Sequence, residues 1–176
     1  MAMRQERRPP PPLDAAALDR LALRYVERFA TTRGKLADYL ARKVRERGWT
    51  GEPADPVALA ERMAALGYVD DRLYAESKAA ALSRRGLGAR RVALALRQAR
   101  VEEADAADFV PAVPEQALDA ALTFARRKRF GPFGSTGNDR AVQQRQIAAM
   151  VRAGHDFALA RRIVTARNAD LLTESY

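Results

Sequence analysis

The amino-acid sequence predicts an all-α protein made of three tandem three-helix repeats stacked into an elongated, curved body. Three observations carry this expectation. From Leu13 onward apolar residues recur at spacings of three and four, with no sustained alternation of the kind a strand needs. Glycines and capping aspartates punctuate the chain at the intervals where short helices end and begin. The chain also matches itself: at an offset of 52, Leu21 lies on Leu73, Arg33 on Arg85, Gly34 on Gly86, Ala37 on Ala89, Leu40 on Val92, Val44 on Leu96 and Trp49 on Val101. A period of about 50 residues holding three helices indicates modules that contact their sequence neighbours.

Residues 1–13 contain Arg4, Arg7, Arg8 and four consecutive prolines from Pro9, so they read as a disordered basic tail. Repeat 1 spans 14–66. Asp14 can cap a first helix carrying Leu18, Leu21, Ala22, Tyr25, Val26 and Phe29, which closes near Arg33-Gly34. A second helix holds Leu36, Leu40 and Val44 and stops at Gly48, with Trp49 just beyond. Asp55-Pro56 opens the third with a cap and a proline at the first helical position, where a missing amide costs nothing.

Repeat 2 spans 67–112. Gly67 can take the positive φ that closes the preceding helix, Asp70 caps the next one, and Asp71 sits at the positive end of its dipole. Val69 and Tyr74 stand at staple positions. With no His, Cys or Glu at ligand spacing nearby, the two adjacent carboxylates read as capping groups rather than a metal site or acid/base dyad. After the Gly86-Leu87-Gly88 turn, Ala89, Val92, Ala93, Leu96 and Ala99 form a buried stripe that leaves Arg90 and Arg97 outward. Glu102 to Val110 make a short third helix, and Pro111 and Pro114 mark the boundary.

Repeat 3 spans 113–168. At an offset of 106 Gly48 falls on Gly154 and Val44 on Met150, each followed by a capping aspartate, Asp55 in the first case and Asp156 in the second. Residues 131–139, rich in glycine and polar residues, read as an exposed loop, and 169–176 as a C-terminal tail.

The chemistry of the chain points away from catalysis. Among 176 residues there is no cysteine and a single histidine, His155, expected to pack at a helix end. The Gly86-x-Gly88 pair lacks the strand and third glycine of a dinucleotide site, and no Gly-Lys-Ser/Thr triplet offers a nucleotide loop. No catalytic, cofactor-binding or metal-ligating residue is therefore assigned, and the protein is not expected to be an enzyme. No apolar run is long enough to span a membrane, and the lack of cysteine suits a reducing compartment, so a cytoplasmic location is expected.

Thirty-one Lys+Arg against 22 Asp+Glu give a formal net charge of +9, which favours an anionic partner. The candidate contacts in the middle repeat are Arg72, Lys78, Arg84, Arg85, Arg90, Arg91 and Arg97. The third repeat adds Arg126, Arg127, Lys128, Arg129, Arg140, Arg145, Arg161 and Arg162. Singly each is an ordinary solvated cation. Together they would form a stripe suited to an extended polyanion.

The string Gly67-Tyr68-Val69-Asp70-Asp71, with Tyr74 and Ala75, followed by Arg84, Gly86, Gly88, Val92 and Leu96, resembles the central repeat of the RecX family, bacterial modulators of the RecA recombinase. The likeness covers roughly Leu18 to Val164. It implies a monomer of three tandem repeats that lies in the groove of the RecA filament on single-stranded DNA. There it would suppress strand exchange, ATP hydrolysis and co-protease activity, placing it in homologous recombination and the SOS response. Two positions depart from the family pattern, as does the long loop after the first helix of the third repeat. Arg100 stands where a glycine is usual, which predicts a less sharply turned helix end, and His155 stands where an apolar residue is expected. The alternative is a helix-turn-helix regulator of double-stranded DNA. Arg90-Arg91 could then read bases, while the corresponding Leu36-Ala37-Asp38-Tyr39 could not.

Overall fold

Carboxylate and hydroxyl side chains start many of the helices. Asp14 accepts the N–H of Ala17 to open α1 (Ala15–Val26), Thr32 that of Lys35 to open α2 (Arg33–Arg47), and Asp55 that of Ala58 to open α3 (Pro56–Ala65). Asp14 and Thr32 have extended backbones, and all three satisfy amides that a helix start leaves orphaned. The computed structural model describes residues 11–110, 114–134, 139–169 and 172. Among them every regular element is helical, and the sole β-type pairing is an isolated bridge between Leu13 and Trp49. The chain divides into two compact units, Met1–Asp71 and Arg72–Tyr176.

In the first unit α1, α2 and α3 close over one apolar cluster that includes Leu18, Ala22, Leu36, Leu40, Leu59, Ala60 and Met63. Two expectations are corrected here. Arg33-Gly34 does not end the first helix: α1 stops at Val26, and Arg33 is the first residue of α2, because Thr32 supplies the cap. Leu13 does not belong to a free tail. Its N–H donates to the Gly48 carbonyl at 2.9 Å, its carbonyl accepts from Thr50 at 2.8 Å, and its side chain is fully buried. The arginines of residues 1–10 lie outside the described residues.

The second unit begins as α4 (Asp71–Arg84) runs on from its first residue. α5 (Ala89–Gln98), α6 (Glu103–Ala106) and a 3-10 turn at Ala107–Phe109 complete a cluster formed by Ala75, Ala79, Leu82, Val92, Leu96, Ala99 and Val101. α7 (Pro114–Lys128), α8 (Arg140–Arg152) and α9 (Phe157–Thr165) enclose another, with Leu118, Ala121, Leu122, Ala125, Met150, Ile163 and Val164. Asp139 opens α8, and Asp156 opens α9 by accepting from Ala158 and Leu159. Asp70 occupies the position before α4.

Five helix ends share one pattern, in which the chain turns through a left-handed residue whose N–H bonds three residues back while the next N–H bonds five back. The left-handed residues are Gly67, Gly86, Arg100, Arg129 and Gly154. The expectation of a looser turn at Arg100 is therefore corrected: at φ 60 it adopts the conformation a glycine would, and Val101 N–H still reaches the Leu96 carbonyl at 3.1 Å.

The predicted exposed loop at 131–139 is corrected at its start. Gly131–Phe133 form a 3-10 turn, the Gly131 N–H donates to the buried Gln146 Oε1 at 2.9 Å, and Phe130 and Phe133 pack on the α7–α9 cluster. Residues 135–138 of that stretch lie outside the described residues. The predicted C-terminal tail is corrected too. Leu172 is buried in the same cluster, and its carbonyl accepts from Arg162 Nη2 at 2.9 Å.

Candidate nucleic-acid interface

Charge is divided unequally between the two units. Residues 1–71 hold 13 Lys+Arg and 11 Asp+Glu, whereas 72–176 hold 18 against 11. The first unit also pairs part of its charge internally. Arg33 pairs with Asp71 and Glu61, Arg62 with Asp19 at 2.5 Å, and Arg42 and Lys43 with Glu46. A field that attracts polyanions therefore arises chiefly from the second unit.

Within that unit, packing decides which cations face solvent. α5 buries Val92 and Leu96, so Arg90, Arg91 and Arg97 stand exposed, and α7 buries Leu118, Ala121, Leu122 and Ala125 before ending in Arg126-Arg127-Lys128. The turn after α4 docks onto α7 so closely that a Cβ at Gly86 would lie 2.6 Å from Phe124 N and 2.9 Å from the Ala120 carbonyl. This contact places Arg84-Arg85 beside the end of α7, where Arg127 Nη1 donates to the Arg85 carbonyl at 3.0 Å. Arg85, Leu87, Phe124, Arg127 and Lys128 line a cavity of about 220 Å³ there. Two basic runs 42 residues apart in sequence thus become one site.

Beneath this site lies His155. Its ring is 2% exposed, its Nε2 lies 3.0 Å from the Gly86 carbonyl, and its centroid is 5.6 Å from that of Phe124. Since a carbonyl only accepts, Nε2 carries the proton. Burial pushes the imidazole below its ordinary pKa, partly opposed by the bond to Gly86, so the ring is held neutral. His155 follows the left-handed Gly154, in the slot that Leu87, Val101 and Phe130 fill after Gly86, Arg100 and Arg129. An apolar position has accepted a histidine because one carbonyl satisfies its single donor.

The other candidates differ in availability. Arg72 pairs with Asp108 at 2.7 Å and lies over the Phe109 ring, Arg90 faces Asp156 at 3.7 Å, and Arg126 covers the Phe133 ring. Arg162 is half-buried and clasps the Leu172 carbonyl, so its role is in holding the chain end. Lys78, Arg84, Arg85, Arg91, Arg97, Arg127, Lys128, Arg129, Arg140, Arg145 and Arg161 are exposed, and among the described residues no carboxylate lies within 4 Å of them.

The start of α5 bears on the double-stranded DNA alternative. Gly88 offers no side-chain cap, and the orphaned amides are met by the turn after α8: Gly88 N–H donates to the Ala153 carbonyl at 3.0 Å and Arg90 N–H to Gly154 at 3.3 Å. A recognition helix enters a groove by this same end. Here the backbone of that end is covered by protein.

The comparisons agree with the resemblance read from the repeat. The chain is 33% identical over 163 residues to the Regulatory protein RecX of Myxococcus xanthus, with 86% of each chain covered. The chain belongs to the RecX family. A second relative, the Regulatory protein RecX of Agrobacterium fabrum, is 27% identical over 161 residues, covering 88% of this chain and 86% of that one. No protein-family model matches, and no solved structure does. This RecX-family chain is thus a regulatory protein, all-helical over its described residues, and none of its described helices is long and apolar enough to cross a membrane. Among the described residues no group of three or more His, Asp or Glu stands ready for a metal ion.

Proposed function

We propose that this protein binds the RecA filament on single-stranded DNA and inhibits its recombinase, ATPase and co-protease activities. In doing so it would act by binding rather than catalysis, as a monomer in the cytoplasm. The observation that carries the reading is membership of a family of regulators, with a relative alike over 86% of the chain. The excess of cations in the second unit supports it, because a filament coated with nucleic acid is an extended polyanion. The three apolar clusters favour reading the chain as three tandem helical repeats, close to 14–66, 67–112 and 113–168, with Leu13 and Leu172 drawn into the first and third. The covered start of α5 counts against the helix-turn-helix alternative.

The test is RecA-driven strand exchange and ATP hydrolysis with increasing amounts of the purified protein, alongside electron microscopy of filaments mixed with it. Dose-dependent inhibition with the protein seated on filaments is expected. Unimpaired strand exchange at saturating protein would overturn the reading.

A further inference from the structure

The Gly86 turn and the end of α7 form more than a patch of charge. Arg85, Arg127 and Lys128 line the notch there, and Arg84, Arg126 and Arg129 adjoin them in sequence; all six are exposed, and among the described residues none has a carboxylate within 4 Å. Two helix C-termini meet at this point, those of α4 and α7. Their dipoles together supply roughly one negative charge, far too little to balance six cations. Arg127 is also held in place: one N–H is committed to the Arg85 carbonyl, which leaves the rest of its planar fork free for a ligand oxygen. The cavity walled by Arg85, Arg127 and Lys128 has an apolar floor, Leu87 and the half-buried ring of Phe124.

We propose that this notch binds the sugar-phosphate backbone of a single nucleic-acid strand, with the cations on a phosphate and Phe124 against the neighbouring base. The assignment rests on the function proposed above and gives it a residue-level contact. Fork-shaped, unneutralised guanidinium suits phosphate oxygens. An aromatic ring recessed among cations is the arrangement that grips unstacked bases, whereas the paired bases of a duplex cannot reach it. An acidic protein surface would use the cations and leave the ring idle.

The test is the binding of a short labelled oligothymidylate to full-length protein, followed by anisotropy across a salt series. Arg85→Gln with Lys128→Gln should lower the log–log salt slope by about 1.4, two phosphate contacts at roughly 0.7 each. Arg152→Gln with Arg167→Gln, the same charge change at exposed positions of the same unit, should leave it unaltered. Phe124→Leu should weaken binding about fivefold or more at an unchanged slope. Melting curves verify that each variant folds. Equal effects of the two paired variants, absence of binding by the wild-type chain, or equal competition by duplex would each overturn the proposal. So would a notch variant that keeps oligonucleotide binding while losing RecA inhibition, since the notch then meets an acidic protein surface. A variant that loses the oligonucleotide yet still inhibits RecA supports the notch and instead removes this contact from the filament reading.

Discussion

Asp71 Oδ1 accepts the backbone N–H of Arg33 at 2.8 Å while Oδ2 takes the Arg33 Nε at 3.3 Å, so the first residue of α4 caps the first residue of α2. Asp71 is 6% exposed, which makes both bonds costly to lose. The sequence placed Asp71 at the start of its own helix, as a local capping and dipole group, and gave no sign of the bond to α2. Asp71→Ala should cost about 2 to 3 kcal/mol, through an abandoned amide and an unpaired guanidinium, and Asp71→Asn less, because an oxygen remains for the N–H. Asp70→Ala should cost on the order of 1 kcal/mol as a lost cap, and Asp70→Asn almost nothing. Urea melts of the four variants check the order. An Asp70→Ala cost exceeding that of Asp71→Ala would reverse the assignment.

Arg129 sits at φ 55, a left-handed conformation that costs an L-residue about 1 kcal/mol or more. Arg129→Gly should therefore raise stability by about 0.5 to 1 kcal/mol, the strain relieved less the entropy of a freer unfolded chain. The opposite sign is expected at Gly88, where a Cβ would lie 2.4 Å from the Gly154 carbonyl carbon and oxygen. Gly88→Ala should cost roughly 3 kcal/mol, since only backbone can yield there. Thermal melts decide both.

His155 makes stability depend on pH. Its folded pKa is depressed by burial, so the unfolded chain binds more protons at acid pH. The stabilisation is present in full above the unfolded value of about 6.5 and is lost as pH falls below it toward the folded value. His155→Gln retains a donor for the Gly86 carbonyl and cannot titrate. Its melting temperature should vary less between neutral and mildly acid pH than that of the wild type.

Reversal of Arg84, Arg85, Arg90 and Arg91 to Glu should leave the melting temperature nearly unchanged. All four are exposed, and the one ion pair among them, Arg90 with Asp156, is long and solvated. Inhibition of strand exchange should nevertheless be lost. Persistence of inhibition would shift the contact to the end of α7, where Arg126, Arg127, Lys128 and Arg129 are next.

The parts of the fold legible in the sequence are those set within one helical turn. Asp14, Asp55 and Asp156 cap where their neighbours in sequence place the orphaned amides, and Gly48, Gly67 and Gly154 turn left-handed where an apolar stripe ends. Gly34 misled because a glycine was read as a stop although α1 ends without one, and Thr32 opens α2 instead. The same error lies in the internal match: Leu40 and Val92 are both fully buried, yet Gly34 is helical where Gly86 is left-handed. Leu13 and Leu172 were missed because single apolar residues among polar flanks carry no periodicity. The basic types of the site were plain in the sequence. Which of them meet was not, because Arg85 and Arg127 are brought together by Gly86 lying against α7, a contact that leaves no mark in either local stretch.

The paired glycines at 88 and 154 constrain how such a chain can be rebuilt. At this junction two backbones touch with no side chain between them, Gly88 N–H on the Ala153 carbonyl and Arg90 N–H on Gly154. Most packing contacts can drift by compensation, a larger residue on one side answered by a smaller one on the other. Neither residue here can become smaller. Each is therefore irreplaceable whatever its partner becomes, and chimaeras that graft the α8–α9 segment from a relative onto α4–α5 should fold only where the donor supplies glycine at the position of Gly154.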